Sequence, residues 1–163
     1  MSDPQEIESL FEAALGARDR GDLQQAVAGF NAVLEADPAH EATLHEMGHL
    51  CYRLGRPDAA LAYIGELVRL RPEDPAPRFT LASLRMQTGD MAAAEAAFRE
   101  ALAIEPTHAS SNLGLGNMLK QAGRLSEAAA CYARAAPGPG QEASVLSNLA
   151  SVYTAQGLHR EAA

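Results

Sequence analysis

Five glycines recur along the chain at one fixed interval. They are Gly21, Gly55, Gly89, Gly123 and Gly157. Five alanines keep the same interval, and these are Ala26, Ala60, Ala94, Ala128 and Ala162. A stack of identical supersecondary units spaces residues in this way, because each one repeats the same backbone turn and the same close contact. The spacing therefore predicts a repeat architecture, and it indicates binding rather than catalysis as the function.

Apolar residues within each repeat follow helical spacing, which predicts two helices per repeat. The first helix should run from about residue 4 to about residue 19, and a second follows Gly21. The repeated glycine ends the first helix, since a left-handed backbone conformation costs little only for glycine. The residue before a proline is pushed out of the helical region. The second helices should therefore end before the repeated prolines, which are Pro38, Pro72 and Pro106.

Two further columns describe how the paired helices pack. The first helices carry a small residue at one position, and these are Ala14, Gly48, Ala82, Gly116 and Ala150. The second helices carry a bulky residue one turn after the repeated alanine, and these are Phe30, Ile64, Phe98 and Tyr132. We predict that the helices approach most closely at the small residues, because larger side chains would force them apart.

Together these columns resemble the tetratricopeptide repeat (TPR) family over roughly residues 7 to 163. The resemblance implies an all-α, right-handed TPR helical-hairpin solenoid of four full repeats plus one truncated repeat. It implies a single TPR domain over residues 1–163, with repeats at about 7–40, 41–74, 75–108, 109–142 and 143–163. The family's early tryptophan is absent, and its column holds Leu10, Leu44, Arg78, Asn112 and Leu146.

The period is broken in two places. Pro137-Gly138-Pro139-Gly140 follows the second helix of the fourth repeat, which should stop near Ala136, about one turn early. The sequence ends with Arg160-Glu161-Ala162-Ala163, partway through a second helix. Because a solenoid normally ends in a capping helix, we expect the sequence to be a piece of a longer protein.

Charge and composition narrow the class of partner. The formal net charge is −8, and clusters of Lys and Arg are lacking, which argues against nucleic acid and anionic membrane partners. No apolar run approaches the length of a membrane span, and the acidic start is not a secretory signal. We therefore expect a cytoplasmic protein. Cys51 and Cys131 lie in different repeats, which predicts that they are unpaired.

The resemblance also implies that the first helices line a concave groove that binds a protein or peptide. Phe11, His45, Phe79 and Leu113 stand one period apart, and such a stripe suits a ligand with apolar anchors. The alternative is that these side chains pack against adjacent helices. The predicted groove residues are Phe11, Leu15, His45, Glu46, His49, Tyr52, Phe79, Ser83, Leu113, Asn117, Asn148 and Ser151.

Two narrower resemblances concern the asparagines. One TPR subclass clamps chaperone C-terminal carboxylates, and Asn117 and Asn148 match two of its asparagines; Leu113 stands where that clamp needs lysine, which argues against it. Ser147-Asn148-Leu149-Ala150-Ser151-Val152 also resembles, more weakly, the TPR region of O-linked N-acetylglucosamine transferases. There the groove asparagines hold the substrate backbone, and a catalytic domain follows the repeats.

His45-Glu46-Met47-Gly48-His49 fits the H-E-x-x-H pattern of zinc proteases. The repeat explains it better, because Met47 and Gly48 occupy the core and small-residue columns. Tyr52 also stands where the metzincin extension needs glycine. We therefore predict no catalytic residue, no cofactor and no dedicated metal site, and we expect His45 and His49 to bind divalent metal only adventitiously.

The sequence thus favours a protein–protein interaction module that binds a peptide or protein segment in its concave groove, as an adaptor or substrate-recruiting domain. Two alternatives stay open. One is the N-terminal TPR part of a larger enzyme, such as a protein glycosyltransferase. The other is a scaffold that self-associates through its uncapped C-terminal helix.

Overall fold

The structure, a computed structural model, describes residues 3–135, 142–155 and 157. Every regular element within these residues is an α-helix, which confirms the all-α prediction. The nine helices described are α1 (Pro4–Asp19), α2 (Leu23–Ala36), α3 (Glu41–Arg53), α4 (Pro57–Leu70), α5 (Pro75–Gln87), α6 (Met91–Ile104), α7 (Ala109–Gln121), α8 (Leu125–Arg134) and α9 (Glu142–Ala155).

The chain divides into two compact units, Met1–Pro72 and Glu73–Ala163. In the first unit α1 pairs with α2 and α3 pairs with α4, while α2 also contacts α3. In the second unit α5 pairs with α6 and α7 with α8, and α6 contacts α7 as α8 contacts α9. The predicted helical hairpins are therefore confirmed within each unit. The assignment of residues 1–163 to one domain stays a prediction.

The turn inside each hairpin depends on the repeated glycine. All five glycines of the column have positive φ angles, between 70° and 85°. The next residue closes the turn by donating its backbone N–H to the carbonyl of a residue near the end of the first helix, as Asp22 does to Ala17 at 3.0 Å and Asp90 to Arg85 at 2.9 Å. Because this bond needs a left-handed residue just before it, a side chain at the glycine would strain the turn.

The second helices end where the prolines predict. The last residues of α2, α4 and α6 are Ala36, Leu70 and Ile104, and each of these helices has 14 residues. α8 has only 10 residues and ends at Arg134, which confirms the predicted early stop. The segment 137–140, to which the early stop was attributed, lies outside the described residues, as does the end of the chain at 160–163.

The core of each hairpin is built from the two packing columns. The repeated alanines of α2, α4, α6 and α8 have no exposed surface, and neither do Phe30, Ile64, Phe98 and Tyr132. A β-carbon added to Gly116 would lie 2.7 Å from Cε1 of the Tyr132 ring. One added to Gly48 would also lie too close to Ile64. The small-residue column is therefore where the paired helices approach most closely, as predicted.

Helix starts reveal a second period, twice the length of the first. α3 and α7 begin after His40 and His108, and each imidazole Nδ1 accepts a hydrogen bond at 3.3 Å from the backbone N–H of Thr43 or Ser111. Asp22 and Asp90 cap α2 and α6 through their side chains. α4 and α8 follow arginines that make no side-chain cap bond. The caps therefore match between alternate repeats, and not between adjacent ones.

The two cysteines, Cys51 and Cys131, are both buried and free. Burial raises the pKa of each thiol, which keeps it protonated and unreactive. Among the described residues, the helices are too short or too polar to cross a membrane.

Two glycine substitutions test the close approach of the paired helices. We expect Gly116→Ala to lower the free energy of unfolding by about 1–2 kcal/mol, since overpacking against the Tyr132 ring outweighs the better helix propensity of alanine. Gly65→Ala on α4 is the control, because its added β-carbon meets nothing within 4 Å. It should raise stability by up to about 1 kcal/mol. Urea denaturation followed by circular dichroism measures both, and a Gly116→Ala variant as stable as the parent would contradict this packing.

Candidate partner-binding surface

The predicted groove residues lie on the first helices, and we treat the first-helix surface of each unit separately. It consists of the outward side chains of α1 and α3 in the first unit, and of α5, α7 and α9 in the second. All twelve predicted residues are described, and none of them is buried. The exposed ones are His45, His49, Asn117 and Ser151. The half-buried ones are Phe11, Leu15, Glu46, Tyr52, Phe79, Ser83, Leu113 and Asn148.

The aromatic residues of the predicted stripe are held by the core on one side. The Phe11 ring lies 5.9 Å from the ring of Phe30 and 5.0 Å from that of His40, measured between centroids. Phe11 therefore packs both on α2 and on the cap of α3, while its side chain stays half-exposed. Such an anchored ring presents apolar surface at a fixed position, because its rotamer is set by packing.

The second unit repeats this arrangement. The Phe79 ring lies 6.1 Å from the rings of both Phe98 and His108. Leu113, one period later, is half-buried and packs against the core of the same unit. Phe11, Phe79 and Leu113 thus pack as the second alternative held, and their use by a ligand stays a prediction. These side chains pack against neighbouring helices, and each still leaves part of its surface accessible.

His45 and His49 stand one turn apart on α3 and contact each other. Their ring centroids are 4.5 Å apart, and their Nε2 atoms are 3.3 Å apart. His49 also lines a cavity of about 270 Å³ together with Arg18, Glu46 and Arg53. Partial burial, followed by the charge of His45, lowers the pKa of His49. The neutral imidazole is therefore favoured at His49.

Glu46, between the two histidines, is committed to an ion pair that the sequence analysis missed. Its carboxylate accepts a hydrogen bond from Arg18 of α1, and Arg18 also contacts Asp19 at 2.8 Å. These bonds raise the pKa of Arg18. The pair joins the two first helices of the unit. Among the described residues no group of three or more His, Cys, Asp or Glu side chains could hold a metal ion.

Asn117 is held in one orientation by the core. Its Oδ1 accepts a hydrogen bond at 2.8 Å from the hydroxyl of Tyr132, a fully buried residue of α8. Burial raises the pKa of Tyr132, so its hydroxyl stays protonated and can donate. The exposed amide Nδ2 of Asn117 has no partner within the described part of the chain. It can therefore donate to a carbonyl oxygen of a ligand.

Among the described residues, the side chains of Ser83, Asn148 and Ser151 make no hydrogen bond to a neighbouring helix. The Ser83 hydroxyl donates to the Phe79 carbonyl oxygen at 2.9 Å, within its own helix, so its hydrogen is already used. Asn148 and Ser151 lie on α9, where Asn148 is half-buried and Ser151 is exposed. Asn117 lies one turn after Leu113 on α7, and among these residues its side chain is the one oriented by the core.

Other roles that the sequence analysis missed belong to His40 and His108. Each caps a helix and contacts a phenylalanine of the stripe. The signal was present, since His-x-x-Thr at His40 and His-x-x-Ser at His108 occupy equivalent positions two repeats apart. Adjacent repeats differ at this position, so the shared histidine is not visible when each repeat is compared with the next.

A comparison with protein families shows to which family the chain belongs. The family profile described as "Tetratricopeptide repeat" matches residues 11–75, 45–109 and 79–143, and the starts of these overlapping spans are one repeat apart. The chain therefore belongs to the tetratricopeptide repeat family. No curated protein sequence matches it. The narrower resemblance to O-linked N-acetylglucosamine transferases stays a prediction.

Solved structures with the same fold include two MamA proteins and YrrB. A MamA protein crystal structure has a TM-score of 0.78 at 22% identity, covering 96% of this chain and 85% of that one. MamA from Desulfovibrio magneticus RS-1 has a TM-score of 0.77 at 16% identity, covering 99% and 90%. YrrB, described as a TPR protein with an unusual peptide-binding site, has a TM-score of 0.68 at 16% identity, covering 94% and 79%. At these identities the likeness is one of fold.

Tyr132→Phe tests whether the core orients Asn117. Removal of the hydroxyl should lower the free energy of unfolding by about 1 kcal/mol. It should also free the Asn117 side chain, seen as a lower heteronuclear NOE of its Nδ2 group in NMR. Tyr63→Phe is the matched control, because Tyr63 is half-buried and has no hydrogen bond within the described residues. An unchanged Asn117 NOE in Tyr132→Phe would show that the hydrogen bond does not fix the amide.

Proposed function

We propose that the chain is an interaction module that binds a protein or peptide segment on its first-helix surface, as an adaptor or substrate-recruiting domain. The observation that carries the proposal is the amide of Asn117, which is exposed yet oriented by a bond to buried Tyr132. An exposed asparagine that served only solubility would not need a buried partner. Because the amide is already oriented, the protein would lose little conformational entropy when a ligand carbonyl binds to it.

The neighbouring side chains support a peptide as the ligand. Leu113 lies one turn before Asn117, and Phe79 lies one turn before Ser83 on the helix equivalent to α7 in the previous repeat. α5 and α7 thus each offer an apolar side chain followed by a polar one. An extended peptide presents alternate side chains and backbone carbonyls, which suit apolar contacts and amide donors respectively. The YrrB structure, described as having a peptide-binding site, is consistent with this use of the fold.

Selected peptides test the proposal. Random-sequence peptides displayed on phage are selected on the chain, and the affinities of the enriched peptides are then measured by fluorescence polarisation. In Asn117→Asp the carboxylate can still accept from Tyr132, but it has lost the hydrogens donated to the ligand. We expect this variant to bind at least about 10-fold more weakly, because a ligand carbonyl is left unpaired beside a negative charge.

The matched control is Asn31→Asp, which makes the same chemical change at an exposed position of the second helix α2. Its affinity for the selected peptides should equal that of the parent. Equal loss in both variants would indicate a general charge effect. Full affinity in Asn117→Asp would show that the ligand lies elsewhere and would overturn the assignment of Asn117.

Self-association is a second candidate function, favoured by one exposed side chain. Leu146 on α9 is 64% exposed, whereas Leu44, which occupies the same column in the second repeat, is 3% exposed. We propose that a second copy of the chain covers Leu146. The apolar surface of a leucine is costly to leave in water when a like patch is available on another molecule.

Light scattering over a series of protein concentrations measures this association. The mass of the parent should rise above that of the monomer, and Leu146→Asp should stay monomeric throughout. Leu54→Asp is the control, since Leu54 is an exposed leucine of the other unit; it should associate as the parent does. A parent protein that remains a strict monomer at high concentration would contradict self-association.

A further inference from the structure

The two histidines on α3 form an arrangement that the proposed peptide-binding function does not use. His45 and His49 are exposed, one turn apart, and their Nε2 atoms converge to 3.3 Å. Two imidazoles on one helix face can point in many directions. Here the two Nε2 atoms face each other in a hydrogen bond, one nitrogen donating and the other accepting.

This separation matches the spacing of two ligands on one metal ion. Zinc–nitrogen bonds of about 2.0–2.1 Å in a tetrahedral site place two nitrogens about 3.3 Å apart. We propose that His45 and His49 are a bidentate site for a divalent transition metal ion of the class that prefers imidazole, such as Zn²⁺, Ni²⁺ or Cu²⁺. The nitrogens already stand at the required distance, and the ion would take the place of the hydrogen between them, with each imidazole carrying its hydrogen on Nδ1.

The surroundings explain why the site has two protein ligands and not three. Glu46 lies between the histidines in sequence, but its carboxylate is paired with Arg18. Arg53, which lines the same cavity as His49, is a cation and cannot ligate. The part of the chain that the structure describes offers no cluster of three or more ligating side chains. The bound ion therefore keeps open positions for water.

The site lies at exposed positions of α3, a first helix of the first unit. His45 occupies the column of Phe79 and Leu113, and His49 occupies that of Ser83 and Asn117. An imidazole or carboxylate of a ligand could complete the coordination sphere. The second repeat would then hold a ligand group through a metal ion. Metal binding itself does not depend on the peptide proposal, because it can be measured without any partner.

Calorimetric titration of the full chain with ZnCl₂ tests the site. We expect saturable binding of one ion, and we expect His45→Ala and His49→Ala each to weaken it by at least about 10-fold. The second imidazole of a chelate binds at high effective concentration, so either loss removes that advantage. His108→Asn is the matched control: it removes a histidine elsewhere, keeps a good helix cap, and should leave zinc binding unchanged.

Thermal unfolding gives an independent readout. An ion that binds only the folded chain raises its melting temperature. Added ZnCl₂ should raise it in the parent and in His108→Asn, and not in His45→Ala or His49→Ala. Both substituted positions are exposed, so the variants should fold. Absence of heat at millimolar zinc in the parent would overturn the proposal, as would unchanged affinity in either single alanine variant.

Discussion

The hairpins of α3 with α4 and of α7 with α8 depend on one contact, in which a bulky side chain of the second helix lies against a glycine of the first. Tyr132 lies over Gly116, and Ile64 lies over Gly48, and a β-carbon at either glycine would overlap its neighbour. The contact fixes both the separation of the helices and their rotation about their axes. It therefore decides which side chains of each first helix face outward.

One residue of this contact, Tyr132, also affects the candidate binding surface. Tyr132 fills the space beside Gly116 with its ring, and it orients the adjacent Asn117 with its hydroxyl. In the hairpin of α5 and α6 the same column holds buried Phe98, which has no hydroxyl to orient a polar neighbour. Chemistry on the surface thus differs between repeats because the core residue differs, although the backbone is the same.

The sequence was sufficient to predict features that depend on near neighbours in the chain. The positive φ of the turn glycines, the helix ends before Pro38, Pro72 and Pro106, and the short α8 all follow from local stereochemistry. The accessibility of the site residues followed from helical periodicity. Arg18 with Glu46 and Tyr132 with Asn117 could not be predicted, because they join side chains 28 and 15 residues apart whose rotamers depend on the packed structure.

Some features recur only at every second repeat, and these include contacts that join residues of two adjacent repeats. The turn recurs in every repeat, and the hairpin contact joins two helices of the same repeat, so the residues of a single repeat are sufficient for both. The contact of Phe11 with His40 needs two repeats, because a first-helix ring meets the cap of the next first helix, and Phe79 with His108 does the same. In the second repeat that column holds His45, whose ring contacts His49 instead. Loss of the phenylalanine there leaves two imidazoles in solvent, and the position that packs in the first and third repeats becomes available for ligands in the second.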